Sequence, residues 1–288
     1  MLGKLFKHEW KAVSKFGCII VLAQLVIALL GNIYYRSSVW VNLFDEDGQL
    51  SNMTSITWLL VGIVGLIFMI LVLCAGIYAV YIYMGIRFYK KMYTEEGYLT
   101  HTLPVTTHKL LISKIAVSGI WSLIITVMMV LTMVSLVFAM IGSILKGQQV
   151  DQSIGEILAE AFTIIGTVYA EEMGVNLTAV GIASLITIIV GPFFSMSTLF
   201  GALTIGQLSK KHKGLMGILA YFGIMLVEAL IGMIVGVVSM SMSIGKMLEG
   251  QSVGMGGTML VSYIITYTVS IVLYVVSYYI IKNKLNLE

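Results

Sequence analysis

Cysteine is scarce in this sequence, and the motifs of several common site classes are missing. Cys18 and Cys74 both lie in long apolar stretches, where a thiol acts as a small apolar side chain. No histidine has metal-ligand spacing with a cysteine or another histidine, and there is neither a G-x-x-x-x-G-K-[ST] phosphate loop nor an H-E-x-x-H helix. We therefore predict no metal, cofactor or catalytic residue, so any work on ATP needs a second protein that binds it.

Charged residues are also scarce, at 11 % of the 288 residues, and the apolar residues gather in six long stretches. Each stretch has at least the roughly 20 residues that cross a bilayer as a helix, and continuous apolar runs exclude the alternating strands of a barrel. The sequence thus predicts an all-α, multi-pass membrane protein with spans at residues 16–35, 58–85, 110–144, 177–206, 215–240 and 259–281.

The basic residues lie mainly on one side of these spans. Of the 17 lysines and arginines, all but Arg36, Lys146 and Lys246 lie in the N-terminal segment, in or within a few residues of alternate gaps, or after the last span. The positive-inside rule then predicts that both termini are cytoplasmic. Because the net charge of +3 is sorted across the membrane, it gives no support to nucleic-acid binding.

The N-terminal segment, residues 1–16, has an amphipathic helical pattern. Its apolar side chains, including Trp10, fall largely on one face, and the rest of the surface carries Lys4, Lys7, Lys11 and Lys15. Such a helix lies flat among the lipid headgroups, where anionic lipid attracts its lysines. We predict an interfacial helix that contacts membrane lipid; a simple positive-inside anchor is the alternative.

The predicted cytoplasmic segment 86–109 is too long for a hairpin, which needs about 2 to 8 residues. The pattern favours a helix that runs to Glu96, stops at Gly97 in a left-handed cap, and cannot continue through Pro104. The segment is therefore predicted to expose Tyr98 and the acids Glu95 and Glu96 for binding by a partner protein. A solvated loop held by lysine–acid pairs is the alternative.

The segment also resembles a known family. Its runs Glu96–Thr100 and Thr102–Val105, followed by Ser113 and Lys114, are similar to the first cytoplasmic loop of type-2 ATP-binding-cassette (ABC) exporter membrane subunits. The run Ile205–Leu208, followed by Lys210, Lys211 and Ala220–Phe222, resembles the next cytoplasmic turn of that family. The six spans agree with the family layout, so the resemblance covers essentially the whole chain.

The resemblance implies that two six-span subunits pair, and that each binds a cytoplasmic ATPase, which holds ATP and Mg. It leaves open whether the second subunit is an identical copy or a related chain. It also implies that segment 86–109 contains a coupling helix. The implied ATPase contacts are Glu95, Glu96, Gly97, Tyr98, Leu99, Gln207, Lys210 and Lys211.

Two spans carry polar residues that indicate either a cargo pathway or helix packing. Glu228 lies well inside span five, with Gly232 and Gly236 on the same face as a G-x-x-x-G pair. We predict close packing of that face against another helix, with Glu228 as a structural or a cargo-contacting group. One face of span six is either an aromatic belt or a cavity lining, and it carries Tyr263, Tyr267, Ser270 and Tyr274.

The predicted outer loop 145–176 has apolar residues at helical spacing, which indicates one or two amphipathic helices that act as a lid or a scaffold. Taken together, these features predict the non-catalytic membrane subunit of an ABC exporter whose cargo is an amphipathic or hydrophobic peptide, such as a toxin or antimicrobial peptide. The alternatives are a lipid or drug exporter of the same class, an ATP-independent channel or secondary transporter that uses Glu228, and a membrane scaffold.

Overall fold

The computed structural model describes residues 2–37, 40, 53–94, 97, 105–147, 154–172, 177–248 and 256–283. In these ranges the regular elements are seven α-helices, and no strand occurs. The helices are α1 (Leu2–Tyr35), α2 (Met53–Tyr93), α3 (Thr107–Gly147), α4 (Ile154–Glu172), α5 (Leu177–Gly206), α6 (Lys213–Leu248) and α7 (Gly256–Asn283).

All of these helices except α4 are long and apolar enough to cross a membrane. The all-α, multi-pass prediction is thereby confirmed, and each predicted span lies inside one helix. Helices α2 and α3 have 41 residues each, which gives a length of about 60 Å at the α-helical rise. This is roughly twice the thickness of the hydrocarbon core, so both helices continue beyond it.

Helix α1 joins two segments that the sequence analysis separates. It runs from Leu2 to Tyr35 without a break, so the interfacial helix predicted for residues 1–16 is not a separate element. No proline interrupts the run, and each residue added to an existing helix gains a backbone hydrogen bond at little further entropic cost.

Helix α4 lies within the predicted outer loop, residues 145–176. It covers Ile154–Glu172 and leaves the apolar side chains of Phe162, Ile164 and Ile165 exposed. The described residues of the loop thus include one helix of the predicted kind, where one or two were expected. Its role as a lid or a scaffold stays a prediction.

The chain divides into two compact units. One unit comprises Ser14–Val80 and Ile124–Thr163, and its core gathers around Tyr35 and Trp40. The Tyr35 hydroxyl donates to the carbonyl of Gly62 at 2.9 Å, which gives the buried phenol a partner inside an apolar core. In this unit Asn32 also donates to the Ser135 hydroxyl at 3.1 Å and links α1 to α3.

The other unit comprises Met1–Val13, Tyr81–Leu123 and Ile164–Glu288. Here α5 packs against α6 and α7. Phe88 of α2 stacks on Phe200 of α5, with ring centroids 4.1 Å apart and planes 6° from parallel. Trp10 packs on Trp121 at 5.1 Å between centroids, which connects the start of α1 to α3. All the residues of the candidate functional site lie in this unit.

Candidate functional site

A cavity of about 240 Å³ lies between α5, α6 and α7, and we call it the Glu228 cavity. Its lining residues recur at helical spacing, so each helix turns one face toward it. All of them lie in apolar spans, yet many carry a hydroxyl group. The lining comprises Thr187, Gly191, Phe194, Ser195 and Thr198 of α5, Tyr221, Met225 and Glu228 of α6, and Tyr263, Thr266, Tyr267 and Ser270 of α7.

Two polar atoms at the wall of this cavity lack protein partners. The Oε1 atom of Glu228 and the hydroxyl of Tyr267 are both buried and make no hydrogen bond within the described part of the chain. Such an atom costs about 1–3 kcal/mol when it is left unsatisfied, and more when it is charged. A rotation of either side chain toward the cavity would let a polar ligand bond to the unpartnered oxygen, which makes this the strongest candidate functional site.

Hydroxyl groups connect α5 and α7 beside this cavity. Thr198 and Ser270 are both buried, and their hydroxyls lie 2.8 Å apart. Ser197 of α5 also donates to the backbone carbonyl of Ser270 at 3.1 Å. The sequence analysis did not predict the α5 side of the cavity. Three small hydroxyl residues between positions 195 and 198, inside an apolar span, could have indicated it.

The structure divides the predicted polar face of span six into two parts. Tyr263, Tyr267 and Ser270 line the Glu228 cavity, in agreement with the cavity-lining alternative. Tyr274 instead bonds to Nδ1 of His108 at 2.6 Å, and lines a neighbouring cavity of about 300 Å³ with almost entirely apolar walls. Ser270 borders both cavities.

The glycine face of α6 leaves room for larger side chains among the described residues. A Cβ atom placed on Gly232 or on Gly236 would meet no atom within 4 Å. The close packing of this face against another helix therefore stays a prediction.

Four of the predicted ATPase contacts in the coupling segment lie outside the described residues: Glu95, Glu96, Tyr98 and Leu99. Helix α2 ends at Tyr93, before the predicted end at Glu96. The Gly97 amide donates to the Thr94 carbonyl at 2.7 Å, and its backbone is not left-handed, so the predicted left-handed cap is wrong. Glycine is needed for a different reason, because a Cβ at this position would lie 2.6 Å from the carbonyl oxygen of Met92.

The second set of predicted ATPase contacts lies in the short connection between α5 and α6. Gln207 is half-buried, and its side chain donates to the Leu203 carbonyl at 3.4 Å. Lys210 and Lys211 are exposed. His212, the last residue before α6, has a positive φ of 52° and accepts the first hydrogen bond of that helix, so the connection turns tightly.

A buried hydrogen bond brings the ends of α2 and α5 together. The hydroxyls of Tyr93 and Thr204 lie 2.7 Å apart. Thr204 donates its own proton to the Phe200 carbonyl at 2.7 Å, so Tyr93 is the donor. The segment that follows Tyr93 therefore begins close to the connection that starts at Gln207. The structure thus joins the helix ends that precede both sets of predicted ATPase contacts.

We expect Tyr93→Phe to lower the unfolding free energy by about 1 kcal/mol, because one hydrogen bond is lost while Thr204 keeps its bond to Phe200. Unfolding of the detergent-solubilised protein by sodium dodecyl sulfate, followed by tryptophan fluorescence, measures the change. Thr163→Val on exposed α4 is the matched control, since its hydroxyl bonds only within its own helix. Equal stability of Tyr93→Phe and the wild type would contradict the expectation.

A charge cluster that sequence reasoning missed lies near the start of α1. Glu9 receives hydrogen bonds from Arg87 and Lys114, both at 2.9 Å, and Lys91 lies 3.6 Å away. The sequence did contain a signal, because Lys114 falls inside a predicted span and Glu9 is the only acid before Asp45. The cluster connects α1, α2 and α3 in the unit that contains the Glu228 cavity.

One catalytic pattern was also overlooked. Residues Gly250–Gly254 read G-x-S-x-G, the string of a nucleophile elbow, and they lie outside the described residues. The elbow needs a strand before the serine and a helix after it. The described residues that precede this string form helix α6, which ends at Leu248, and not a strand.

Comparisons of the chain with protein-family models, with curated proteins and with solved structures find no match. In the described residues there is also no group of three or more histidine, cysteine, aspartate or glutamate side chains that could hold a metal ion. The side chains that line the Glu228 cavity supply one carboxyl group, several hydroxyls and four aromatic rings.

Proposed function

We propose that the chain is the membrane subunit of a bacterial ABC exporter that moves amphipathic or hydrophobic peptides across the plasma membrane. The observation that supports this most is the hydrogen bond between Tyr93 and Thr204. It holds the end of α2 against the end of α5, and each of these ends leads into one set of predicted ATPase contacts. Helix α5 carries Thr204 near one end and Thr198 on the wall of the Glu228 cavity, so a displacement at the predicted contacts reaches the cavity directly.

In the proposed cycle, two subunits with cytoplasmic termini each bind one ATPase, which supplies ATP and Mg. Closure of the ATPases pushes segment 86–109 and shifts the spans between inward-open and outward-open states. The stack of Phe88 on Phe200 supports this transmission, because a rigid aromatic contact makes α5 follow α2. The Glu9 cluster adds a connection to α3, on the other side of the predicted coupling segment.

The proposal is tested by isolating the chain from native membranes in mild detergent, identifying its partners by mass and measuring ATP hydrolysis. We expect Glu96→Lys and Tyr98→Ala to enter the membrane normally and to lose most of the bound ATPase, since an interface residue at a hot spot contributes about 2 kcal/mol or more. The matched control is Glu160→Lys, the same charge change on exposed α4. Unchanged ATPase recovery with both variants would contradict the proposal.

A secondary transporter is the second candidate, because Glu228 Oε1 has no protein partner at the wall of a cavity inside the apolar spans. Ionisable groups in such positions often carry protons or ions. This candidate makes a different prediction for the purified chain alone. It would exchange ions in liposomes without nucleotide, and Glu228→Gln would stop the exchange.

A further inference from the structure

We propose that the Glu228 cavity binds an ammonium group of the cargo. The statement that the ligand is the transported cargo rests on the proposed function. The new inference is that this cargo carries a protonated amine. Three independent features of the cavity support it: the direction of its hydroxyl protons, its charge and its aromatic walls.

Three hydroxyl groups of the cavity lining present acceptors rather than donors. Thr187 donates its proton to the Ala183 carbonyl at 2.9 Å, and Ser270 donates to the Thr266 carbonyl at 3.0 Å, in each case one turn earlier in the same helix. Thr198 donates its proton either to the Phe194 carbonyl at 3.2 Å or to the Ser270 hydroxyl. These three hydroxyls can therefore offer a ligand only their oxygen lone pairs. An ammonium group carries donors and no acceptor, so it is complementary to such a wall.

The charge of the cavity points the same way. Among the described residues that line it, Glu228 is the only ionisable group other than the tyrosines, and none is lysine, arginine or histidine. An ionised carboxylate in an apolar span is costly unless a positive charge accompanies it. Since the lining supplies no cation, a bound ammonium group would be the counter-ion of Glu228.

Aromatic rings complete the site. Tyr267 packs on Phe194 with centroids 4.6 Å apart, and on Tyr263 at 6.3 Å in a nearly parallel stack. The face of an aromatic ring attracts a cation, and clusters of such rings bind organic ammonium groups. A single carboxylate beside aromatic rings is a poor site for a divalent metal ion, which prefers several oxygen ligands.

In the structure as described, Glu228 Oε1 and the Tyr267 hydroxyl are closed off from solvent at the cavity wall. Binding therefore requires one of these side chains to rotate toward the cavity. Its oxygen, which has no protein partner among the described residues, can then form a hydrogen bond with the ligand. The volume of about 240 Å³ is enough for an amine with a ring or a short chain, as in one amino-acid side chain of a peptide.

The test uses phenethylammonium as the probe and 2-phenylethanol as its neutral analogue, with the purified chain in lipid nanodiscs and no ATPase present. Affinities are measured by saturation-transfer NMR. We expect the wild type to bind phenethylammonium at least about tenfold more tightly than the alcohol, because a charge-assisted hydrogen bond is replaced by a neutral one. Glu228→Gln is expected to reduce the affinity for the ammonium to that for the alcohol.

Two further variants identify the site. Tyr267→Phe keeps the ring and removes the hydroxyl, so we expect a loss of about three- to tenfold for the ammonium probe. Glu160→Gln removes an exposed carboxylate from α4 and is expected to leave the affinity unchanged.

Equal wild-type affinities for the ammonium and the alcohol would overturn the proposal, as would an unchanged ammonium affinity in Glu228→Gln. If Glu228→Gln does not fold, the wild-type comparison and Tyr267→Phe still decide. Because no ATPase is present, failure here is distinct from failure of the exporter proposal, which is judged by ATPase recovery alone.

Discussion

Glu9→Gln is expected to lower the unfolding free energy by about 3–5 kcal/mol, the cost typical of breaking a buried ion pair from one side. Both carboxylate oxygens of Glu9 are in use: Oε2 accepts from Arg87 and Oε1 accepts from Lys114. Glutamine has nearly the same shape but no charge, so Arg87, Lys91 and Lys114 would be left close together without a counter-ion.

Lys114 determines the size of this effect. Its side chain is only 5 % exposed, whereas that of Lys91 is 32 % exposed and can turn toward water. A buried lysine ammonium has lost most of its hydration, and without Glu9 no ion pair would replace that hydration. Because little solvent reaches Lys114, its repulsion from Arg87 is only weakly screened. Most of the unfolding free energy lost in Glu9→Gln is therefore expected to come from the unpaired Lys114.

A double variant tests this explanation. In Glu9→Gln with Lys114→Met, the buried cation is replaced by an apolar side chain of similar length, so we expect much of the lost stability to return. The measurement is unfolding by sodium dodecyl sulfate, followed by the fluorescence of the packed pair Trp10 and Trp121. Glu160→Gln, on exposed α4, should stay within about 0.5 kcal/mol of the wild type. A double variant no more stable than Glu9→Gln would contradict the argument.

The sequence was sufficient to predict the helices because a bilayer permits few backbone conformations. A backbone in lipid must satisfy its own hydrogen bonds, so each long apolar run becomes a helix. It was less informative about where helices end. Helix α2 ends at Tyr93 instead of at the predicted Glu96, and the Tyr93 hydroxyl there bonds to Thr204, a residue that is distant in sequence.

The candidate site was predictable in part. Helical spacing correctly placed Tyr263, Tyr267 and Ser270 on one face of α7, since that spacing is fixed by local geometry. That Glu228 lines the same cavity depends on how α6 packs against α7, which no local pattern specifies. The contact between Glu9 and Lys114 is harder still to predict, because the two residues are 105 positions apart and Glu9 has other lysines, Lys7 and Lys11, much closer in sequence.

The second large effect is expected at Gly206, where α5 meets α6. A Cβ atom on Gly206 would lie 2.2 Å from the amide nitrogen of Gly217 and 2.3 Å from its Cα atom. Both neighbours are backbone atoms, which cannot rotate away as a side chain does. Gly206→Ala must therefore move the two helices apart, at a cost of about 3 kcal/mol, the upper end for overpacked interiors.

Gly223→Ala in α6 is the matched control, because a Cβ there would meet no atom within 4 Å among the described residues. Alanine is the better helix former by up to about 1 kcal/mol, so this variant should be as stable as the wild type or slightly more stable. Unfolding by sodium dodecyl sulfate measures both changes. Equal stability of the two alanine variants would show that α5 and α6 do not meet at Gly206 and Gly217. If only Gly206→Ala is destabilised, ammonium binding should weaken with it, since α5 and α6 both line the Glu228 cavity.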